Sequence, residues 1–77
     1  MLIINQDRDE LINFDNVSYV ARVEVPEDDT IEYVCFTIDD CRFHLGKYED
    51  TPEHENLLEK IAQAEGAVNV FYMPEED

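Results

Sequence analysis

Carboxylates are the groups with the widest chemical reach in this chain: twenty Asp and Glu among 77 residues. They fall in short runs: Asp7, Asp9 and Glu10; Glu27, Asp28 and Asp29; Asp39 and Asp40; Glu49 and Asp50. More follow at Glu53 and Glu55 and in the tail Glu75, Glu76 and Asp77. A carboxylate pair hydrolyses glycosides only where a substrate cleft fixes the separation of its two members. So short a chain has little interior to spare for a cleft. Clustered oxygens also attract calcium. Neither Asp7-Arg8-Asp9-Glu10 nor Glu27-Asp28-Asp29 sits in a D-x-D-x-D-G run with a glutamate at the twelfth position, so both are expected to be solvated turns.

Other chemistries lack their parts. Cys41 and His44 lie three apart on a strand-like segment, which turns them to opposite faces. The two cysteines, Cys35 and Cys41, do not have zinc-site spacing and are expected to be free buried or half-buried thiols. Only Gly46 and Gly66 are present, so no glycine-rich phosphate loop can form. The expectation is a chain without catalytic residues, metal or cofactor, not an enzyme.

Charge points to binding. Five Lys and Arg leave a formal net charge of -15. A field of this sign repels nucleic acid, which excludes direct binding to it, and steers the chain toward basic proteins. The candidate contact residues are Asp7, Asp9, Glu10, Glu27, Asp28, Asp29, Asp39, Asp40, Glu49 and Asp50. Carboxylates in rows on a small scaffold can compete with phosphates for the lysines and arginines of a nucleic-acid-binding surface. The N-terminal Met-Leu-Ile-Ile-Asn-Gln-Asp has no basic n-region and too short an apolar run for a signal peptide, and no run is long enough to span a membrane. A cytoplasmic location is therefore expected.

The scaffold reads as α+β, one domain over 1–77, with an antiparallel β-meander of about five strands, one amphipathic helix packed on one face, and a C-terminal strand. Leu2 to Asn5 and Leu11 to Phe14 suggest a small hairpin. In Val17 to Val25 the alternation puts Val17, Tyr19, Ala21, Val23 and Val25 on one face. Ile31 to Ile38 is apolar on both faces and reads as a central strand. Asp39-Asp40 reads as a two-residue hairpin connection to Cys41–Leu45. The Asp39-Asp40 turn is expected at the opposite end of the sheet from the 26–30 loop, on the same side as the Asp15-Asn16 turn. Thr51 as cap, Pro52 at the first helical position, the stripe Leu57, Leu58, Ile61 and Ala62, and Gly66 after the end predict a helix over Pro52 to Glu65. Ala67 to Met73 reads as the last strand, with the tail 74–77 frayed. An exposed N-terminal edge strand would permit a homodimer.

Ile3-Ile4-Asn5-Gln6-Asp7-Arg8-Asp9-Glu10-Leu11-Ile12-Asn13-Phe14-Asp15-Asn16-Val17 resembles the start of small proteins encoded by phages and prophages of Gram-positive bacteria. Leu45-Gly46-Lys47-Tyr48 before a short helix is similar to the same group, where a Leu-Gly-x-Tyr turn precedes a helix. Pro26 to Thr30 and the tail from Pro74 lie outside the resemblance. It carries no functional residues across. It implies an inhibitor of host defence of the anti-CRISPR kind, acting in the bacterial host cell on a CRISPR effector or another nucleic-acid-binding protein. The alternatives are an accessory interaction module without inhibitory role, and a sponge for a signalling nucleotide that would rely on Arg8, Arg22, Arg42, Lys47 and Lys60.

Overall fold

A computed structural model describes residues 1–75; Glu76 and Asp77 of the expected frayed tail lie outside the described residues. The strands are β1 (Leu2–Ile4), β2 (Leu11–Asn13), β3 (Val17–Val25), β4 (Thr30–Thr37), β5 (Arg42–Glu49) and β6 (Val70–Tyr72), with helices α1 (Pro52–Glu55) and α2 (Leu57–Ala64) between β5 and β6. This is the α+β class with an antiparallel meander and one main helix. The meander is β3-β4-β5. The remaining strands form a second sheet, β2-β1-β6, in which β1 pairs antiparallel with β2 and parallel with β6. A parallel return to the first strand needs a crossover of about a dozen residues or more, which the intervening meander and helix supply.

The core fills the gap between the sheets. Ile31, Tyr33 and Cys35 of β4 and Leu45 and Tyr48 of β5 face Ile3, Ile12 and Met73 of the second layer and Leu57 and Ile61 of α2. Two tyrosines do more than fill space. Tyr33 donates its hydroxyl to the His54 carbonyl of α1, and Tyr48 donates to the Pro74 carbonyl at 2.7 Å. Their rings meet edge to face at 6.1 Å. Burial that satisfies its own polar atom is the arrangement in which a tyrosine contributes most to a core. Gly46 makes the seat for Tyr48: a Cβ at Gly46 would lie 2.6 Å from the Tyr48 ring.

Local irregularities re-aim several side chains. A bulge between Val17 and Tyr19 reverses the facing of β3, so Val17 and Val20 pack on the core while Tyr19 and Val23 are exposed. The expected common face for Val17, Tyr19 and Val23 is corrected accordingly. The β4–β5 connection is also longer than two residues: Ile38 and Cys41 join Asp39 and Asp40 in it, with Asp40 at φ 63°. Cys35 is buried, but Cys41 is exposed in that turn, contrary to expectation. The helical segment breaks at Asn56 into α1 and α2, and Ala62 lies on the exposed side. Thr51 is the N-cap residue without making a side-chain cap bond. Its hydroxyl lies 3.1 Å from His54 Nδ1 instead. Gly66, at φ 83°, takes the left-handed position after α2 as expected.

Two predictions follow from this core. Gly46→Ala forces the Tyr48 ring from its seat and should cost roughly 1–3 kcal/mol, read from the urea midpoint. Burial also pushes up the Cys35 thiol and the Tyr33 phenol from ordinary values of 9.0 and 10.0. The unfolded chain then loses these protons before the folded one does. Stability should be full below about pH 9 and fall as pH rises, first through Cys35 and then through Tyr33. Urea midpoints from neutral to alkaline pH check the sign, and Cys35→Ala should remove the earlier part of the fall.

Candidate acidic binding surface

All ten candidate carboxylates lie on exposed residues, in three groups. The first group is built by the β3–β4 turn meeting the end of β5. The Asp50 N–H donates to the Asp29 carbonyl at 3.0 Å, and Thr30 stands opposite Glu49 in the sheet. Asp28, Asp29, Glu49, Asp50 and Thr51 thereby line one open groove of 270 Å³. Glu27 belongs to the same turn. Asp29 holds φ 53°, a left-handed conformation that Asp tolerates better than most residues. Lys47 Nζ reaches Asp28 at 3.1 Å and partly neutralises one side of the groove.

The second group is Asp39 and Asp40, at the other end of the meander. The Ile38 N–H donates to the Asn16 carbonyl at 3.1 Å, which brings this turn against the Asp15-Asn16 turn as the sequence implied. The third group is the β1–β2 loop, organised around Asn5, which is buried. Asn5 Oδ1 accepts from the Asp9 and Glu10 N–H groups at 3.1 Å each, and its Nδ2 donates to Asp9 at 2.8 Å. Asp9 is therefore committed to holding its loop. Asp7 borders a groove with Gln6, Arg8 and Glu75.

Sequence reasoning missed the bridging role of Arg8. This residue takes φ 63°, and its guanidinium bonds to the Met73 carbonyl at 2.8 Å, the Asn5 carbonyl at 3.2 Å and Glu75 at 2.9 Å, while lying 5.4 Å from the centre of the Tyr72 ring. It clamps the first loop to the C-terminal strand. Nothing local in Asp7-Arg8-Asp9 signals partners more than sixty residues away. Arg22 pairs with Glu24 and Arg42 with Glu32, so with Lys47 and Arg8 four of the five basic side chains are engaged. Among the described residues, Asp7, Glu10, Glu27, Asp29, Asp39, Asp40 and Asp50 have no cation within ion-pair distance.

The groups that nucleophilic chemistry would need stand apart. Cys35 faces the core, while His44 is exposed on the outer face of the meander, opposite Val34. His54 packs 4.9 Å from the Tyr48 ring, and its Nδ1 lies 2.8 Å from the Glu49 carbonyl. A carbonyl only accepts, so that nitrogen carries the proton. Among the described residues no three His, Cys, Asp or Glu side chains are placed to hold a metal ion, and no helix is long and apolar enough to cross a membrane. Compared with family models, curated proteins and solved structures, the chain matches none.

The uncompensated charge has a measurable consequence. Like charges at this density oppose folding, and dissolved salt screens them over about 8 Å at physiological ionic strength. The urea midpoint should therefore rise as sodium chloride is raised from about 0.02 to 0.5 M. A midpoint that falls over that range would mean that the ion pairs outweigh the repulsion.

Proposed function

We propose that this protein binds a basic, nucleic-acid-binding surface of another protein by presenting DNA-like negative charge, and so blocks it. The observation that carries this reading is the groove at the β3–β4 end. There a turn and a strand end are hydrogen-bonded together and fix Asp28, Asp29, Glu49 and Asp50 around one opening. With the backbone that bears these carboxylates already fixed, only their side chains are ordered when a partner's lysines and arginines arrive, which lowers the cost of association. The second rim, at Asp39 and Asp40, lies at the opposite end of the same three strands. A partner channel that normally tracks a nucleic-acid backbone could thus meet charge at two separated points.

In its finer form the reading is a phage-encoded, anti-CRISPR-type inhibitor acting on a host defence nuclease inside the bacterial cell. The -15 charge and the phrase-level resemblance of the N-terminal segment support it. Binding rather than catalysis is the activity proposed. The nucleotide-sponge alternative draws less support, because Arg8, Arg22, Arg42 and Lys47 are each already held by a carboxylate. One observation favours the interaction-module alternative. The outer face of the meander carries exposed apolar side chains, with Tyr19 stacked on Phe36 at 4.7 Å and both Tyr19 and Val23 exposed.

The test is binding to a purified guide-loaded CRISPR nuclease, with target-DNA cleavage as the second readout. The variants are Asp28→Asn, Asp29→Asn and Asp50→Asn together, and Asp39→Asn with Asp40→Asn. Asn is chosen because it accepts the left-handed backbone of Asp29 and Asp40. Each set should weaken binding about tenfold or more, and salt should weaken the wild type steeply. Tight binding that survives both sets and 0.5 M salt (a screening length of about 4 Å) would sink the electrostatic reading.

A further inference from the structure

The sheet β2-β1-β6 ends at β2, whose outer side has no neighbouring strand. Backbone groups in an antiparallel pair alternate between facing the partner and facing away. Asn5 N–H donates to the Glu10 carbonyl at 3.2 Å and Phe14 N–H to the Met1 carbonyl at 3.0 Å, with Ile3 opposite Ile12 midway between them. Residues 10, 12 and 14 therefore turn toward β1. The same alternation turns Leu2 and Ile4 the other way, where the Leu2 N–H meets the Asn69 carbonyl and the Met73 N–H meets the Ile4 carbonyl. On β2 it leaves the N–H and C=O of Leu11 and of Asn13 pointing out from the free edge. The Asn13 carbonyl caps the short 3-10 turn Phe14–Asn16 and accepts its first backbone bond. Among the described residues, the Leu11 N–H, the Leu11 carbonyl and the Asn13 N–H have no backbone partner.

That edge opens onto a groove that Leu11 and Asn13 share with Thr37 and Phe43. Past Thr37 and Phe43 it runs on into a larger opening of 470 Å³ beside Ile38 and Cys41. Leu11 and Ile38 are 60% and 72% exposed, so apolar surface lies at both ends of the path. The charged side chains that line these two openings are acidic, Glu10 and Asp39, with Asp40 next in the turn.

We infer that the β2 edge takes an extended segment of a basic partner as an added strand, with alternate side chains cationic and apolar. Main-chain bonds to Leu11 and Asn13 hold such a segment. Its apolar residues lie along Leu11, Phe43 and Ile38, and its lysines or arginines meet Glu10, Asp39 and Asp40. A second copy of this chain is the poorer occupant, since pairing two edges would bring two chains of -15 together at their acidic flanks. The inference rests on the proposed reading that the partner is basic, and names where on the fold a segment of it docks.

The test uses an end-blocked seven-residue peptide alternating lysine and valine, followed by amide resonances and hydrogen exchange. Peptide at saturation should slow exchange of the Leu11 and Asn13 amides by about tenfold. Asn13 sits at φ -78°, which proline accepts, and its N–H faces outward, so Asn13→Pro removes one edge donor while leaving the β1 pairing intact. It should weaken the peptide about tenfold. Asn13→Ala, which loses only the side-chain bond to the Asp15 N–H, should bind like the wild type. Unchanged affinity in Asn13→Pro, or a footprint confined to Asp28, Asp29 and Asp50, would overturn the edge inference. So would a dimer that dissociates in Asn13→Pro, because it would assign the edge to a second copy. With the CRISPR nuclease, loss of binding in the Asp→Asn sets but not in Asn13→Pro sinks the edge and spares the acidic-surface reading; loss in Asn13→Pro but not in the Asp28, Asp29 and Asp50 set spares the edge and sinks the β3–β4 groove as the carrier of that reading.

Discussion

Two buried tyrosines connect the parts of this molecule that local structure alone would leave separate. Tyr33 and Tyr48 are on neighbouring strands of the meander and are almost wholly excluded from solvent. Each places a polar atom where burial without a partner would cost a few kcal/mol. Each then satisfies it on an element outside its own sheet: Tyr33 on the His54 carbonyl of α1, Tyr48 on the Pro74 carbonyl after β6. The same hydroxyls that require partners thus fix where the helix and the C-terminal strand can lie. Gly46 is a condition of this arrangement, since any larger residue would occupy the volume of the Tyr48 ring.

This economy matters because the chain has few residues with which to oppose its own charge. The core comprises side chains from both sheets and α2, and each is used across a layer boundary. Many of the acids are kept at turns and strand ends, where their fields spread into water. The basic side chains are spent largely on structure. Arg8 is the clearest case: it adopts a strained left-handed backbone and uses its guanidinium to bridge Asn5, Met73 and Glu75. A guanidinium can satisfy several acceptors at once because its donors are rigidly spread, which a lysine could not copy.

Much of the framework was legible in the sequence because it is local. Pro52 and Gly66 bracket the helical segment through backbone constraints that belong to those residues alone. The apolar run from Ile31 to Ile38 marks a strand covered on both sides, and β4 is indeed the centre of its sheet. What was not legible depends on residues far apart. The parallel pairing of β1 with β6 leaves no trace in either three-residue segment. The bulge after Val17 cannot be inferred from a pattern whose alternation looks intact, yet it moves Tyr19 and Val23 from the core to the surface. The clustering of Asp28 and Asp29 with Glu49 and Asp50 follows from meander register, which the hairpin signals fixed only to within the length of their turns.

An open edge strand is ordinarily a hazard, because unpaired backbone groups recruit any extended chain, including another copy. Natural proteins protect such edges with short strands, bulges or charge. Here β2 is only three residues long, and acidic side chains stand at both ends of its groove. Acidic guarding is selective in a way that proline or a bulge is not. It repels copies of the same acidic chain while leaving the Leu11 N–H and carbonyl and the Asn13 N–H open to a segment of opposite charge. On the proposed reading the acidity that opposes compactness also sorts partners, and it does so at the edge by the same Coulombic rule as at the turns. On this view the -15 charge does not act through a single patch. It sets the sign of partner admitted at every exposed surface, and the local backbone then determines which of those surfaces can hold on.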